Sequence, residues 1–404
     1  MEKYSTFIGI DLGDKHSHYA ILDADRRVRA EAGAVETTER GFMARFQPMR
    51  PSTIAIEAGT YSPWVSRLLS SFCHHVLVAN PRRLRAIYEN ARKHDKVDAM
   101  MLARLARSDD ELLHPIQHRG EQAHAHLSVV RARNGVVKAR TMLINQVRGL
   151  CKSFGHRIDK YDAGYFPLHA REEIPPPLKA AVLPLLKTIE NLTKTINAYD
   201  KQVHLLCKHY KETHLLQQIA GVGEITALTF ALTIDDPKRF SSSRDAGAYF
   251  GLIPGSNQSG DQDPQMPITK TGNEDMRRLL VGSAQYLLGP LNKQDSELRQ
   301  WGLNLAGPVN NKGKHDKIRK RRAVVAVARK LAVLMHLLWV TGSVYDPFFQ
   351  QTQREAQKTP LPSPKGEATA LTTGLEGARK KPRAPHNEAP LSPYSHRSSS
   401  PAFR

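Results

Sequence analysis

Cysteine, acid and long apolar runs are all scarce in this chain. Its three cysteines, Cys73, Cys151 and Cys207, stand far apart with no CxxC spacing. That excludes a disulfide scaffold and a structural zinc site and fits a reducing compartment. No uninterrupted apolar run reaches the roughly 18 residues that a membrane span needs; the longest candidate, residues 323–340, is broken by Arg329, Lys330 and His336. No membrane association is therefore expected. The opening MEKYSTFIGIDLGDKH reads as a strand running into an acid, without the basic n-region and cleavage site of a secretion signal. These gaps together predict a cytoplasmic protein. The shortage of acid matters most: 39 Asp+Glu face 59 Lys+Arg, a net charge of +20 in 404 residues. A field of that sign draws polyanions, and nucleic acid is the commonest large one in a cytosol.

The length allows two or three domains with their own cores. Residues 1–115 alternate β-rich runs (6–10, 19–22, 28–35, 52–56, 76–79) with helical stretches at 62–72 and after Pro81, which predicts an α/β domain with a mixed sheet. Residues 116–214 turn helical. Over 183–210 the apolar positions Leu185, Ile189, Leu192, Ile196, Tyr199, Val203, Leu206 and Tyr210 alternate spacings of four and three, a heptad seam. With a second long helix over 121–151, this predicts either a helical hairpin within one chain or a dimerising coiled coil. Residues 215–346 form a third, mostly helical unit. Residues 347–404, rich in Pro, Ser, Lys and Arg, read as a basic disordered tail.

Four carboxylates fall at suggestive places. Asp11 ends the first strand, Glu57 ends a later one, and Asp95 and Asp98 begin the helix that follows. Acids at the ends of neighbouring strands converge in space, and two acids three apart share one helix face. Taken singly, each is more often a turn or cap residue. Together, with no His or Cys cluster, they suit hard divalent ions, Mg²⁺ or Mn²⁺, which stabilise the attacking and leaving oxygens of a phosphodiester. His114, His118, His124 and His126 lack cysteine partners and predict no metal site of their own.

Further on, residues 216–228 read as helix, Gly-Val-Gly turn, helix. Gly221 and Gly223 would let the backbone approach a phosphate, with the second helix's amides pointing at it; an ordinary glycine-rich hairpin reads the same way. Lys270, the Arg277-Arg278 pair and the run 312–322, with Lys317, Arg319 and Lys320, are candidate nucleic-acid contacts, or else solvated faces. Ser256 and Ser259 lie in a loop bounded by Pro254 and Pro267, where a serine is ordinarily a turn residue.

The stretches FIGIDLGDKH, IAIEAGTYSPW, VLVANPRRLRAIYENARKHDKVDAMMLARLAR and QQIAGVGEITALTF…YFGLIPGSNQSG…PITKTGNEDMRRLLV resemble transposases of the IS110 family, in order over roughly residues 4–346. The resemblance implies a RuvC-like, RNase H-type N-terminal domain whose DEDD metal site is Asp11, Glu57, Asp95 and Asp98. It also implies that Ser259, directly before Gly260, is a nucleophile, with Ser256 as the fallback. His94 stands where many members carry a small polar residue, and Asp261-Gln262-Asp263 replaces the usual basic residues. The expected function is that of an insertion-sequence recombinase acting on donor and target DNA. A guide RNA and a dimeric to tetrameric assembly are implied, in a bacterial or archaeal cytoplasm at the nucleoid. Two rival readings remain: a Holliday-junction resolvase-like nuclease in which water attacks, and a non-catalytic nucleic-acid-binding protein whose acids are caps.

Overall fold

The β-branched and apolar alternation near the N-terminus resolves into five strands: β1 (Thr6–Asp11), β2 (His16–Asp23), β3 (Arg29–Glu36), β4 (Thr53–Glu57) and β5 (His75–Ala79). The computed structural model describes residues 5–23, 29–84, 95–256, 264, 266–310 and 315–349, all within one compact unit, Met1–Thr352. The helix expected after Pro81, Ser259 with Asp261 and Asp263, the front of the basic run and the tail from Gln350 lie outside the described residues. The sheet order is β3-β2-β1-β4-β5. β1 pairs antiparallel with β2 and parallel with β4, and β4 pairs parallel with β5. The sheet is therefore mixed, as the alternation predicts, and the domain is RNase H-like.

Both faces of the sheet are covered. On one, Ile8, Ile10, Ile21, Ile54 and Ile56 pack against Phe42 and Phe46 of α1 (Glu39–Phe46) and Val65 and Leu69 of α2 (Ser62–Ser71). On the other, Phe7, Leu22, Ala55 and Leu77 meet Leu102, Ala103 and Ala106 of α3 (Asp95–Ser108). Helix α3 lies unusually close to β1: a Cβ on Gly9 would stand 2.0 Å from the Ala99 carbonyl oxygen and 2.4 Å from the Ala103 nitrogen. Only a residue without a side chain allows that approach.

The helical part begins with α4 (Glu121–Ser153), continues through the short α5 (Phe166–Ala170), and returns along α6 (Lys179–His209). Helices α4 and α6 pack on each other as a hairpin within the chain. The heptad reading of α6 needs correction. Ile189, Ile196 and Val203 are buried as expected, with Val182 extending their register, but the alternate buried positions are Leu186 and Cys207, one residue after the expected Leu185 and Leu206. Between them Thr193 and Asp200 complete the register. They face α4, where Arg133 Nε lies 2.5 Å from Asp200 Oδ1 and Arg140 donates to Thr193 Oγ1 at 3.2 Å. The seam is partly polar because α4 presents arginines that need these partners.

The third part is built round α8 (Glu224–Ile234), which follows α7 (Glu212–Leu216) and is buried on nearly every side. It packs with α9 (Asp245–Tyr249), α10 (Glu274–Leu287), α11 (Glu297–Ala306) and α12 (Lys317–Thr341). By length and composition α12 is apolar enough to cross a membrane. Here it is a core helix: Val327, Leu331, Met335 and Leu338 are buried against Phe230, Phe250, Leu280 and Leu287.

Candidate functional site

Pleating decides where the carboxylates point. Successive side chains of a strand face opposite ways, so Asp11 follows Phe7 and Gly9 toward α3, and Glu57 follows Ala55 to the same side. Ile10 pairs in register with Ile56, which sets Asp11 beside Glu57 at the shared C-terminal edge of β1 and β4. Asp95 and Asp98 occupy the first turn of α3, on the element packed against that face. Asp98 is buried, while the Asp95 side chain is 64% exposed. First-turn acids also answer the positive end of the helix dipole.

The electrostatics register the convergence. The Asp11 carboxyl is raised from its ordinary 3.8 to about 6, first by burial and then by the negative charges of Asp95, Asp98 and Glu57. The nearby His18 acts the opposite way and lowers it. His18 sits opposite Asp11 across the β1–β2 pair, and its Nδ1 lies 3.6 Å from Asp95 Oδ2. Sequence reading missed His18 because it began β2 at Tyr19; the hairpin register that pairs residue 11 with 18 is the signal that would have found it. Nearby, Tyr61 donates to Asp14 Oδ1 at 2.6 Å, pinning the β1–β2 turn beside the α2 N-terminus.

As a metal centre the set fits in kind: four carboxylate-bearing residues, one imidazole at the margin, and a negative field on Asp11 that a hard cation would neutralise. The arrangement is open. Among the described residues, no group of three or more His, Cys, Asp or Glu stands close enough together to hold a metal ion.

The other candidates are dispersed. Gly221 has φ +81°, and a Cβ there would stand 2.9 Å from the Ser283 carbonyl oxygen, so the turn is pressed against α10. Gly223 caps α8 with open space where a side chain would be. Both line a cleft of about 610 Å³ with Gln217, Tyr286, Asn292 and Lys293. Glu224, in the first turn of α8, takes His204 as partner at 2.6 Å.

Lys270 is exposed with φ +54° at the base of the 254–268 loop, where Pro254 bridges to Ile268 and Gly255 N donates to the Pro267 oxygen at 2.9 Å. Arg277 is committed to the loop: Nη1 donates to the carbonyls of Thr271 at 2.8 Å and Phe250 at 3.2 Å. Arg278 pairs with Asp275 at 3.0 Å. Ser256 is exposed on the flank of the loop; Ser259 lies outside the described residues.

Lys317, Arg319 and Lys320 occupy the first turn of α12, which has no acid in that turn, only Asp316 capping the Ile318 and Arg319 amides. Cations at a helix N-terminus oppose its dipole. Helix stability therefore does not explain the run.

Residues 8–155 match the DEDD-type IS110 transposase model, and residues 213–298 match the model described as transposase, IS116/IS110/IS902 family. The chain is 26% identical over 345 residues to the transposase for insertion sequence element IS1328 of Yersinia enterocolitica, covering 84% of this chain and 98% of that one. It is 26% identical over 264 residues to the transposase for insertion sequence element IS1111A of Coxiella burnetii, covering 64% and 70%. A putative transposase of Sinorhizobium fredii, y4pF/y4sB, is 29% identical over 324 residues, covering 79% and 80%.

Proposed function

The chain belongs to the IS116/IS110/IS902 family of transposases, and we propose that it cuts and rejoins DNA strands with Ser259 as nucleophile beside a carboxylate-held metal site. The observation that carries this reading is the convergence of Asp11 and Glu57 with the α3 acids on one face of the sheet, marked by the raised Asp11. Asp11, Glu57, Asp95 and Asp98 would hold Mg²⁺ or Mn²⁺. When bound, the cation supplies Lewis-acid polarisation of the scissile phosphate.

The Ser259 oxygen forms a bond to phosphorus and gives its proton to a base. The 3′-oxygen departs and takes up a proton, leaving a phosphoserine and a free 3′-hydroxyl. That hydroxyl then gives up its proton and attacks the phosphoserine phosphorus of the partner strand, and the serine oxygen leaves and takes up a proton, so a phosphodiester is restored and Ser259 is freed. Lys270 and the first turn of α12 bind phosphates, and the Gly221–Gly223 turn offers backbone amides to another. The partners are donor and target DNA and a guide RNA, bound by an oligomer of two to four copies in the cytoplasm; the RNA and the assembly rest on the family resemblance. Domain limits at about residues 115, 214 and 346 belong to the same reading.

The test is a covalent one. Full-length protein incubated with Mg²⁺ and DNA carrying the element's ends, then denatured, should yield a protein–DNA adduct that Ser259→Ala and Asp11→Asn both abolish. Cleavage that persists without an adduct identifies water as the nucleophile, the resolvase-like reading. An adduct that survives Ser259→Ala but not Ser256→Ala moves the role to Ser256.

A further inference from the structure

Six basic groups gather where α2, the 114–120 connection, the start of α4 and the end of α8 meet. The connection runs beside the outer strand near its C-terminal end: Ile116 bridges to Val78 of β5, and His118 Nε2 lies 2.9 Å from Ser62 Oγ, five residues beyond Glu57. Asp11 and Glu57 also stand at the C-terminal ends of the parallel strands, but they turn toward α3, whereas Ser62 opens α2 on the other face. Two of the cations are fixtures of the fold. Arg119 Nε donates to the Thr233 carbonyl at 3.3 Å, and Arg239 donates to the carbonyls of Ile234 and Gln117, each at 3.0 Å. They bind the connection to the C-terminal, carbonyl-rich end of α8.

The remaining groups serve the fold far less. Arg67 on α2 reaches Glu121 only at 3.8 Å, and its Nη1 is buried without a hydrogen-bond partner. His124 and Arg131 lie one heptad apart on α4, and Arg131 is exposed. Among the described residues the group is short of counter-charge: the acids bonded to it are Glu121, on Arg67, and Asp235, whose Oδ2 already accepts from Gly120 N at 2.8 Å. The repulsion is visible in the titration. His118 is pushed down to about 4 by burial and then by Arg119, His124 and Arg67. His124 is lowered by burial and then by Arg131, Arg119 and Arg67.

Nor does the positive strip stop there. Lys138 and Lys152 continue the heptad stripe of His124 and Arg131 along an exposed line of α4, whose only acid is Glu121. From Arg131 to Lys152 this line runs about 32 Å at 1.5 Å per residue. Cations held close without acids are what a phosphodiester backbone requires, since each phosphate bound releases a counterion.

We propose that Arg67, His124 and Arg131, backed by the fixed charges of Arg119 and Arg239, form a phosphate-binding groove for the backbone of a nucleic-acid strand that leaves the carboxylate site and runs down α4. The inference rests on the proposed function only in taking the carboxylates as the place of strand chemistry. DNA and RNA share the recognised chemistry, so both are tested.

The experiment measures binding of full-length protein to a labelled single-stranded DNA of about 30 nucleotides, and to RNA of the same sequence, across a salt series. Arg67→Gln with Arg131→Gln should weaken binding at least tenfold near 0.1 M salt. It should also reduce the slope of log K against log salt by about 1.4, at roughly 0.7 per phosphate contact on a single strand. Arg131→Gln alone, at an exposed position, should remove about half of that slope. The melting temperature should hold or rise, because a mutual repulsion is relieved; a merely structural role would lower it. An equal charge change on the exposed side of α6, Lys201→Gln with Lys208→Gln, should leave the slope unaltered.

A slope lost for one polymer identifies that polymer as the occupant, and loss for both identifies the shared backbone. An unaltered slope for both, or a lowered melting temperature in Arg131→Gln, overturns the proposal. Binding is measured in chelator, so its readout does not depend on cleavage. Absence of cleavage by the parent would therefore sink the catalytic reading alone, while normal binding by the double variant would sink only this one.

Discussion

Asp11→Asn should make the metal-free protein more stable, and the pH dependence of that gain is the sharpest test of the carboxylate site. Folded Asp11 keeps its proton up to about pH 6, whereas an ordinary Asp loses it near 3.8. Between those values the folded state binds more protons than the unfolded one, so stability falls as pH rises through the window and levels off above it. The difference of about 2 units corresponds to a ceiling of ~3 kcal/mol. Asp11 is only half-buried, and solvent screening reduces this to roughly 1.5 kcal/mol. At about 2–4 °C per kcal/mol, the asparagine variant should melt roughly 3–6 °C above the parent at pH 8 in chelator. The gap should narrow as pH is lowered from 6 toward 4 and close below about 3.8, where the parent's carboxyl is protonated in both states.

Adding Mg²⁺ at pH 8 reverses the order. The parent gains stability with the logarithm of metal concentration, about 2.7 kcal/mol at a hundredfold excess over its Kd, and the variant loses most of that gain. Circular dichroism melts across pH, with chelator or Mg²⁺, measure all of it. An asparagine variant no more stable than the parent in chelator at pH 8, a gap indifferent to pH, or equal Mg²⁺ stabilisation of both proteins would refute the reasoning.

The remaining expectations concern backbone approach and charge. Gly9→Ala would set a Cβ 2.0 Å from the Ala99 oxygen, so it should cost about 3 kcal/mol and, by displacing Asp98 on α3, reduce Mg²⁺ stabilisation and cleavage together; a parent-like melt contradicts the close packing. Replacing Lys317, Arg319 and Lys320 with Gln should raise stability by a few tenths to ~1 kcal/mol by relieving the α12 dipole, while lowering DNA affinity and its salt slope. Lower stability with unchanged affinity would make that run structural.

Much of the fold was legible because its signals are local. Alternation in 6–10 and 52–56 located β1 and β4, and a change of period marked α2, α4 and α6, since side-chain direction repeats every two residues in a strand and every 3.6 in a helix. The ends of α6 were less so, and its seam was read one residue early at every second position. The apolar pattern of α6 alone favours Leu185 and Leu192; Arg133 and Arg140 of α4 favour Asp200 and Thr193. A partner helix makes that choice, and a single helix does not contain it.

The site divides in the same way. That Asp11 and Glu57 end strands and that Asp95 and Asp98 open a helix is readable from the chain, because strand ends and first turns have compositional marks. That both strand-end acids face α3 follows from pleat parity and from parallel pairing in register, which require the sheet. His18 enters only through the hairpin register. The sequence by itself determined the excess of positive charge and the placement of the acids on their elements. Tertiary structure alone decided that Arg67, Arg119, Arg131 and Arg239, scattered over more than 170 residues of chain, gather round His118 and His124. Charge is a property of composition, but a field strong enough to hold a phosphate depends on distance, and distance between remote residues is set only when the chain packs.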